Sequence, residues 1–452
     1  MPDDRVDGQG QGPARPSLAR SAALTYGTNL AVALLSFVSV LITARALGAS
    51  GRGDVAFLTT VAYLTAQLST LGVAQANANF AARRPHLSRS LAGTSLALAA
   101  LCGGTAALIL GSLMAVFPDM TGDAGKGLLV IVLLAIPILI TQEYLLYLVQ
   151  AHYGFGITNA AWLITPTVNV VGNAIFAITD RITVASAVGM WIGGMLLGTL
   201  VMAWAVLRRH GGFGRPDPRL AKEMLSFGLK AHLGRAMLFG NYRADQWILG
   251  VMSSSKELGL YSVAVAWSEV LFFLPTTLVA VTRPDLVRAS PEEARARATM
   301  VLRGALSLTL ACSVVMILLA PVLCTTIFGE EFSGSVEMLR LLALGSFGIT
   351  TLKLLGNALT AQRRPLLETA AVAVAFVTVF ALDFILIPNH GGVGASIASA
   401  VSYTAGGIAA AVIFGRALGA SANELVPRPS DLVFLYRSVA GRFRAARPAP
   451  GE

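Results

Sequence analysis

Twelve stretches of this chain are long and apolar enough to cross a lipid bilayer, and nothing else in the sequence limits its fold so sharply. They run over 22–44, 54–80, 90–117, 127–150, 157–179, 183–207, 224–250, 258–282, 299–325, 337–361, 366–388 and 392–418. A helix needs about 20 mostly apolar residues to cross the hydrocarbon layer. Inside that layer every backbone N–H and C=O must be satisfied by the chain itself, which leaves helices or a closed barrel. The apolar runs are continuous, whereas barrel strands alternate over about ten residues. The expected fold class is all-α integral membrane, with about twelve transmembrane helices. Only 13% of the residues are charged, about half the usual share in soluble domains.

Lysine and arginine between the spans set the orientation. With the N-terminus in the cytosol, the cytosolic segments hold 24 of these cations. The external segments hold six: Arg45, Arg52, Lys126, Arg181, Lys256 and Arg340. That asymmetry predicts an even number of spans with both termini cytosolic. It also accounts for the net charge of +10 as a topology signal and an attraction to membrane lipid headgroups, with no nucleic-acid partner implied. Residues 1–21 read as a disordered cytosolic leader, without the apolar core and cleavage site of a signal peptide. Residues 208–223 read as a cytosolic linker between two six-helix lobes, 22–207 and 224–418. Residues 419–452 read as a basic cytosolic tail, in which Leu432 to Tyr436 is either a short interfacial helix or part of a disordered segment. Cys102, Cys312 and Cys324 lie in apolar runs and read as free thiols, with no metal-ligand spacing.

The chain also repeats itself. A shift of 210 residues lays "TQEYLLYLVQAHYGFGITNAA" (141–161) over "TLKLLGNALTAQRRPLLETAA" (351–371). Thr141 then falls on Thr351, Leu145 on Leu355, and Ala151 on Ala361. Each half has six spans, so both halves enter the membrane from the same side. This is a parallel repeat, a design used by transporters that rock two halves around a midplane site.

Three segments carry a family resemblance. They are "ITARALGASGRGDVAFL", "NYRADQWILGVMSSSKELGLYSVAVAW" and "ALTAQRRPLLETAAVAVAFVTVFALDFILIPNHGGVGASIASAVSY". In order and spacing they resemble the polysaccharide-export proteins of the multidrug/oligosaccharidyl-lipid/polysaccharide flippase superfamily. The resemblance covers about residues 20–420. It implies two pseudo-symmetric lobes in a V-shaped bundle around a central cavity. It implies movement of a saccharide on an isoprenoid diphosphate of the undecaprenyl type from the inner to the outer leaflet of a bacterial plasma membrane, for cell-envelope or exopolysaccharide assembly. A monomer, a proton or sodium gradient as candidate driving force, and no cofactor complete the expectation. Two relatives of the same fold are the alternatives. A peptidoglycan-precursor flippase usually has two more spans, and a multidrug or cation exporter would favour acids and aromatics in its cavity.

Charged side chains inside spans are costly and usually face a cavity or a partner. The seventh span holds Lys230, His232, Arg235, Arg243 and Asp245. At about 100° per residue, His232, Arg235 and Arg243 fall within an arc of roughly 80°. This basic face suits a diphosphate, because guanidinium groups present planar donor sets to phosphate oxygens. The competing reading is that Lys230 snorkels to the interface while Arg243 pairs with Asp245 or Glu269. The repeat sets Glu143 opposite Lys353, as a gate pair or as a coupling carboxylate and a diphosphate ligand. Glu269 and Asp245 are further coupling or gating candidates. Asn29, Asn77, Asn173 and Asp383 are candidates for polar cavity lining, Asn173 and Asp383 being repeat equivalents. Pro137, Pro166, Pro275 and Pro321 are points where spans can bend. The sequence contains no GxxxxGK[ST] motif. A membrane polymerase or ligase would need a long external loop, and the external segments here are short.

Overall fold

The computed structural model describes residues 18–121, 125–152 and 154–428. Twelve helices follow in order: α1 (Leu18–Ser69), α2 (Val73–Arg83), α3 (Ser88–Val116), α4 (Lys126–Ala151), α5 (Phe155–Ile178), α6 (Val184–His210), α7 (Pro218–Met252), α8 (Ser255–Arg288), α9 (Pro291–Pro321), α10 (Ser335–Ala361), α11 (Pro365–Leu418) and α12 (Ala422–Leu425). Among the described residues nine helical segments are long and apolar enough to cross a membrane. Two of these, in α1 and α11, are double spans. The polar helix α7 adds another crossing, which brings the total to twelve. The start of the N-terminal leader and the Leu432–Tyr436 stretch lie outside the described residues.

The two double helices turn at single glycines. Gly48 in α1 has φ 70° and ψ −179°, and Gly391 in α11 has φ 50° and ψ −133°. A side chain would strain either conformation, and glycine does not. Segments that read as loops are therefore kinks in continuous helices. The expected second span behaves in the opposite way. It breaks at Leu71 (φ 46°) and Gly72 (φ 72°), and the Thr70 carbonyl at the break accepts from the Val73 N–H at 3.0 Å and from the Tyr144 hydroxyl at 2.7 Å. In α9, Pro321 has no N–H to give the Ile317 carbonyl, and Arg340 donates to that carbonyl at 3.3 Å. A short π turn, Val322–Thr326, follows.

The repeat is visible in the helix bounds. Moved by 210 residues, α4 ends at Ala361, where α10 ends, and α5 starts at Pro365, where α11 starts. The turn between α5 and α6 lands on the Gly391 kink. Successive crossings put the start of α1 and the end of α11 on one face. Arg83, Arg84, Arg208, Arg209, Arg288, Arg295, Arg363 and Arg364 stand at or beside helix ends on that same face, called the basic face below. The opposite, distal face carries both kinks.

The lobes touch at both ends. On the distal side α1 and α8 meet backbone to backbone. A Cβ on Gly53 would lie 1.7 Å from the Ser255 carbonyl oxygen, and one on Gly259 would lie 1.8 Å from that of Ala49. Arg45 reaches across to the end of the π turn that follows α9 and donates to the carbonyls of Ile327 and Thr326, both at 2.7 Å. Toward the basic side Gly72 packs on Gly228 of α7, and a Cβ on Gly72 would lie 2.1 Å from the Gly228 oxygen. Arg84 and Glu223 form an ion pair at 3.1 Å nearby. One apolar core runs through the first six spans and into α7–α11, and a second fills the space among α8, α9, α10 and α11.

Candidate functional site

A cavity of about 620 Å³ lies between the lobes. Its walls come from α1, α4, α5, α6, α7 and α8. The charged residues among its lining are Arg52, Arg243 and Glu269. Arg243 and Glu269 pair at 2.7 Å, so Arg243 takes Glu269 and not Asp245. Arg52 Nε donates to the Ser262 hydroxyl at 3.1 Å. It has no carboxylate partner among the described ion pairs, and is thus an uncompensated cation facing the cavity. Thr60 donates to Gln246 across the lobes at 3.0 Å.

Tyr63 lines the cavity, and its ring packs edge-on against Phe239 of α7. Beside these rings lies a layer of charge. Arg235 Nη2 meets Glu143 Oε1 at 2.6 Å. Gln67 donates to the other carboxylate oxygen at 2.8 Å. Arg235 also donates to the Tyr147 hydroxyl at 3.1 Å, and its guanidinium stands over the rings of Phe239 and Tyr147. One turn away, His232 Nε2–H donates to the Leu68 carbonyl at 2.9 Å. Arg235 and His232 stand on α7, while Glu143, Gln67 and Leu68 belong to the first six spans, so these bonds join the lobes.

The structure corrects the repeat-based gate pair. Glu143 bonds to Arg235, whereas Lys353 sits apart. Its ammonium donates to the Thr276 hydroxyl at 3.1 Å and lies 5.4 and 5.3 Å from the ring centroids of Tyr242 and Phe272. The repeat places the two residues at equivalent points of α4 and α10. Those helices do not present equivalent points to one another: Glu143 of α4 meets the second lobe at Arg235 of α7, and Lys353 of α10 packs on Thr276, Tyr242 and Phe272.

Two polar-lining expectations are also corrected. Asn77 faces inward within the first lobe, where it donates to Ser95 at 2.9 Å and to the Tyr144 carbonyl at 3.0 Å. It braces helices and is not part of the cavity wall. Asp383 is fully buried inside the second lobe, and neither carboxylate oxygen has a hydrogen-bond partner among the described residues. It lies within electrostatic range of Asp245. Asp245 is itself buried and accepts from the hydroxyls of Tyr261 and Ser399 and from the Gln246 N–H. Asn29 and Asn173 do line the cavity.

Several cavity residues escaped the sequence reading. Arg52 stands between two glycines, a pattern that reads as a loop, but the helix resumes straight after the Gly48 kink and turns Arg52 inward. Trp162 and Asn169 recur at helical spacing with the candidate Asn173 along α5, a signal that was present in the apolar run. Trp191 carried no such signal.

Twelve crossings, an internal repeat and a polar cavity between two lobes define a multi-pass membrane protein of transporter architecture. The sequence profile of the polysaccharide biosynthesis protein family matches residues 18–290, and the chain belongs to that family. It is 21% identical over 395 residues to the probable low-salt glycan biosynthesis flippase Agl15 of Haloferax volcanii, covering 85% of this chain and 81% of that protein. Among solved structures it resembles the lipid II flippase MurJ in an inward closed conformation, with TM-score 0.73, 11% identity, and 94% and 93% of the two chains covered. It also resembles an inward-facing multidrug resistance MATE family transporter, with TM-score 0.66, 14% identity, and 94% and 100% covered.

Proposed function

We propose that this protein is a flippase for a saccharide carried on an isoprenoid diphosphate, moved between leaflets by alternating access of the two lobes. The observation that carries this reading is the cavity: enclosed by both lobes, polar on one wall, and bearing the uncompensated cation Arg52 near Arg243. A diphosphate entering it would meet a guanidinium from each lobe. It would also compete with Glu269 for Arg243, which would loosen that pair as substrate binds. The Arg235–Glu143 layer closes the cavity on the basic side. When the lobes part there, Arg235 becomes the first cation an entering diphosphate meets. With the basic face in the cytosol of a bacterial plasma membrane and an undecaprenyl-type carrier, transport runs from the inner to the outer leaflet, and a single chain suffices.

Coupling to an ion gradient is assigned to the second lobe. Asp383 and Asp245 are two buried carboxylates close enough to sense one another, and such a pair is stabilised by a proton or a sodium ion.

The test is a flipping assay in proteoliposomes with a diphosphate-linked saccharide, comparing wild type with Arg52→Ala and Arg243→Ala. Loss of flipping in both variants supports the reading. Wild-type rates in both variants would defeat it.

A further inference from the structure

The charges of the cavity lie to one side of it. Arg243 and Glu269 belong to α7 and α8, and Arg52 is bonded to Ser262 of α8. The wall formed by α5 and α6, with Gln142 of α4 beside it, contains no charged lining residue. It presents two indoles, Trp162 and Trp191, and two amides, Asn169 and Asn173.

The α5 side of this wall is ordered by helix geometry. Trp162, Asn169 and Asn173 are seven and four residues apart, which keeps them within a narrow arc at about 100° per residue. Pro166 lies on the same stripe and cannot donate to the carbonyl of Trp162, four residues earlier. The two amides are locked together, since Asn173 Nδ2 donates to Asn169 Oδ1 at 2.7 Å. That bond leaves the Asn169 amide N–H group available as a donor. It leaves Asn173 Oδ1 as an acceptor, and this oxygen is buried and has no partner among the described residues. A buried amide oxygen without a partner is costly unless a ligand supplies the donor.

We infer that this wall is the glycan subsite, which takes neutral pyranose units of the headgroup while the charged side takes the diphosphate. A pyranose has an apolar C–H face and a rim of hydroxyls that both donate and accept. Indole plates match the face. Side-chain amides, with their paired donor and acceptor capacity, match the rim. An organic cation would find no carboxylate on this wall. The inference rests on the flippase reading for its substrate, and it adds which residues discriminate one saccharide from another.

The experiment uses the full chain in detergent and reads tryptophan fluorescence during titration with two probes. One is an isoprenoid diphosphate bearing a neutral trisaccharide, and the other is the same isoprenoid diphosphate without sugar. In the wild type the glycan should add affinity. Trp162→Ala and Asn169→Ala should each remove about tenfold of that increment and leave the affinity for the bare diphosphate in place. Trp162→Phe, which keeps an aromatic plate, should retain most of it. A glycan that adds no affinity in the wild type would overturn the inference. So would equal weakening of both probes in the alanine variants. Flipping is measured on the same proteins after reconstitution into proteoliposomes, so a wild type that binds the glycan through these residues but moves neither probe would defeat the flippase reading alone.

Discussion

Glu143 and Arg235 meet at 2.6 Å across the lobe interface, although they are 92 residues apart in the chain. Both are largely removed from solvent, with side chains 11% and 25% exposed. Removing one partner of such a pair leaves an unbalanced charge in a poorly hydrated layer, which costs about 3 kcal/mol. Glu143→Ala and Arg235→Ala should each open the basic side of the cavity. Labelling of a cysteine placed at Tyr63 should then become faster from that side. The double charge exchange, Glu143→Arg with Arg235→Glu, should restore slow labelling. No coupling between the two sites in a double-mutant cycle would refute the pair's role.

The distal latch is separable from the basic one. Arg45 donates to two carbonyls, Thr326 and Ile327, at the end of the π turn after α9. Arg45→Ala should weaken distal closure by about 1–2 kcal/mol, since each hydrogen bond to a charged donor contributes modestly at a partly exposed site. A cysteine at Thr43 should then be labelled roughly tenfold faster from the distal side, with access from the basic side unchanged.

Glycine contacts should bias the two ends in opposite directions. Gly53→Ala would force a Cβ to within 1.7 Å of the Ser255 oxygen, so the α1–α8 seam cannot close without backbone movement. Overpacking of this kind costs about 1–3 kcal/mol or more. Gly228→Ala would place its Cβ 2.6 Å from the Leu71 oxygen and should open the basic end. Paired-cysteine crosslinking across each seam tests this, and equal yields in the two variants would contradict it.

Asp383→Asn should raise thermal stability in the absence of a coupling ion, because it removes a buried carboxylate that has no hydrogen-bond partner, worth about 1–3 kcal/mol. The same change should abolish any stabilisation of the protein by sodium or by acid. Melting curves with and without sodium, at two pH values, read both effects. Ion-dependent stabilisation that survives in Asp383→Asn would place coupling elsewhere.

The number of spans, the 210-residue repeat and the basic face were legible from local composition alone. Membrane helices are specified by length and hydropathy, and both are properties of short segments. Local sequence also marked Arg235, Arg243, Glu143 and Glu269 as costly in a bilayer and so in need of partners. It could not choose those partners. Arg243 had two acids within reach, and only the packing of α8 against α7 selected Glu269. Glu143 had an attractive repeat mate in Lys353, yet its ion-pair partner is Arg235 on α7.

Kinks were hidden for a related reason. "GASGRG" and "HGGVG" both read as loops, and a single positive-φ glycine in each lets the helix continue. Arg52 thereby moves from an expected external loop to the cavity wall. By itself the sequence determined a twelve-span, duplicated, basic-face-oriented membrane chain, because apolar periodicity and charge are written residue by residue. The tertiary structure alone decided which charges meet, which face the cavity and which are left without partners. Those outcomes depend on helix rotation and on contacts between residues up to 282 positions apart.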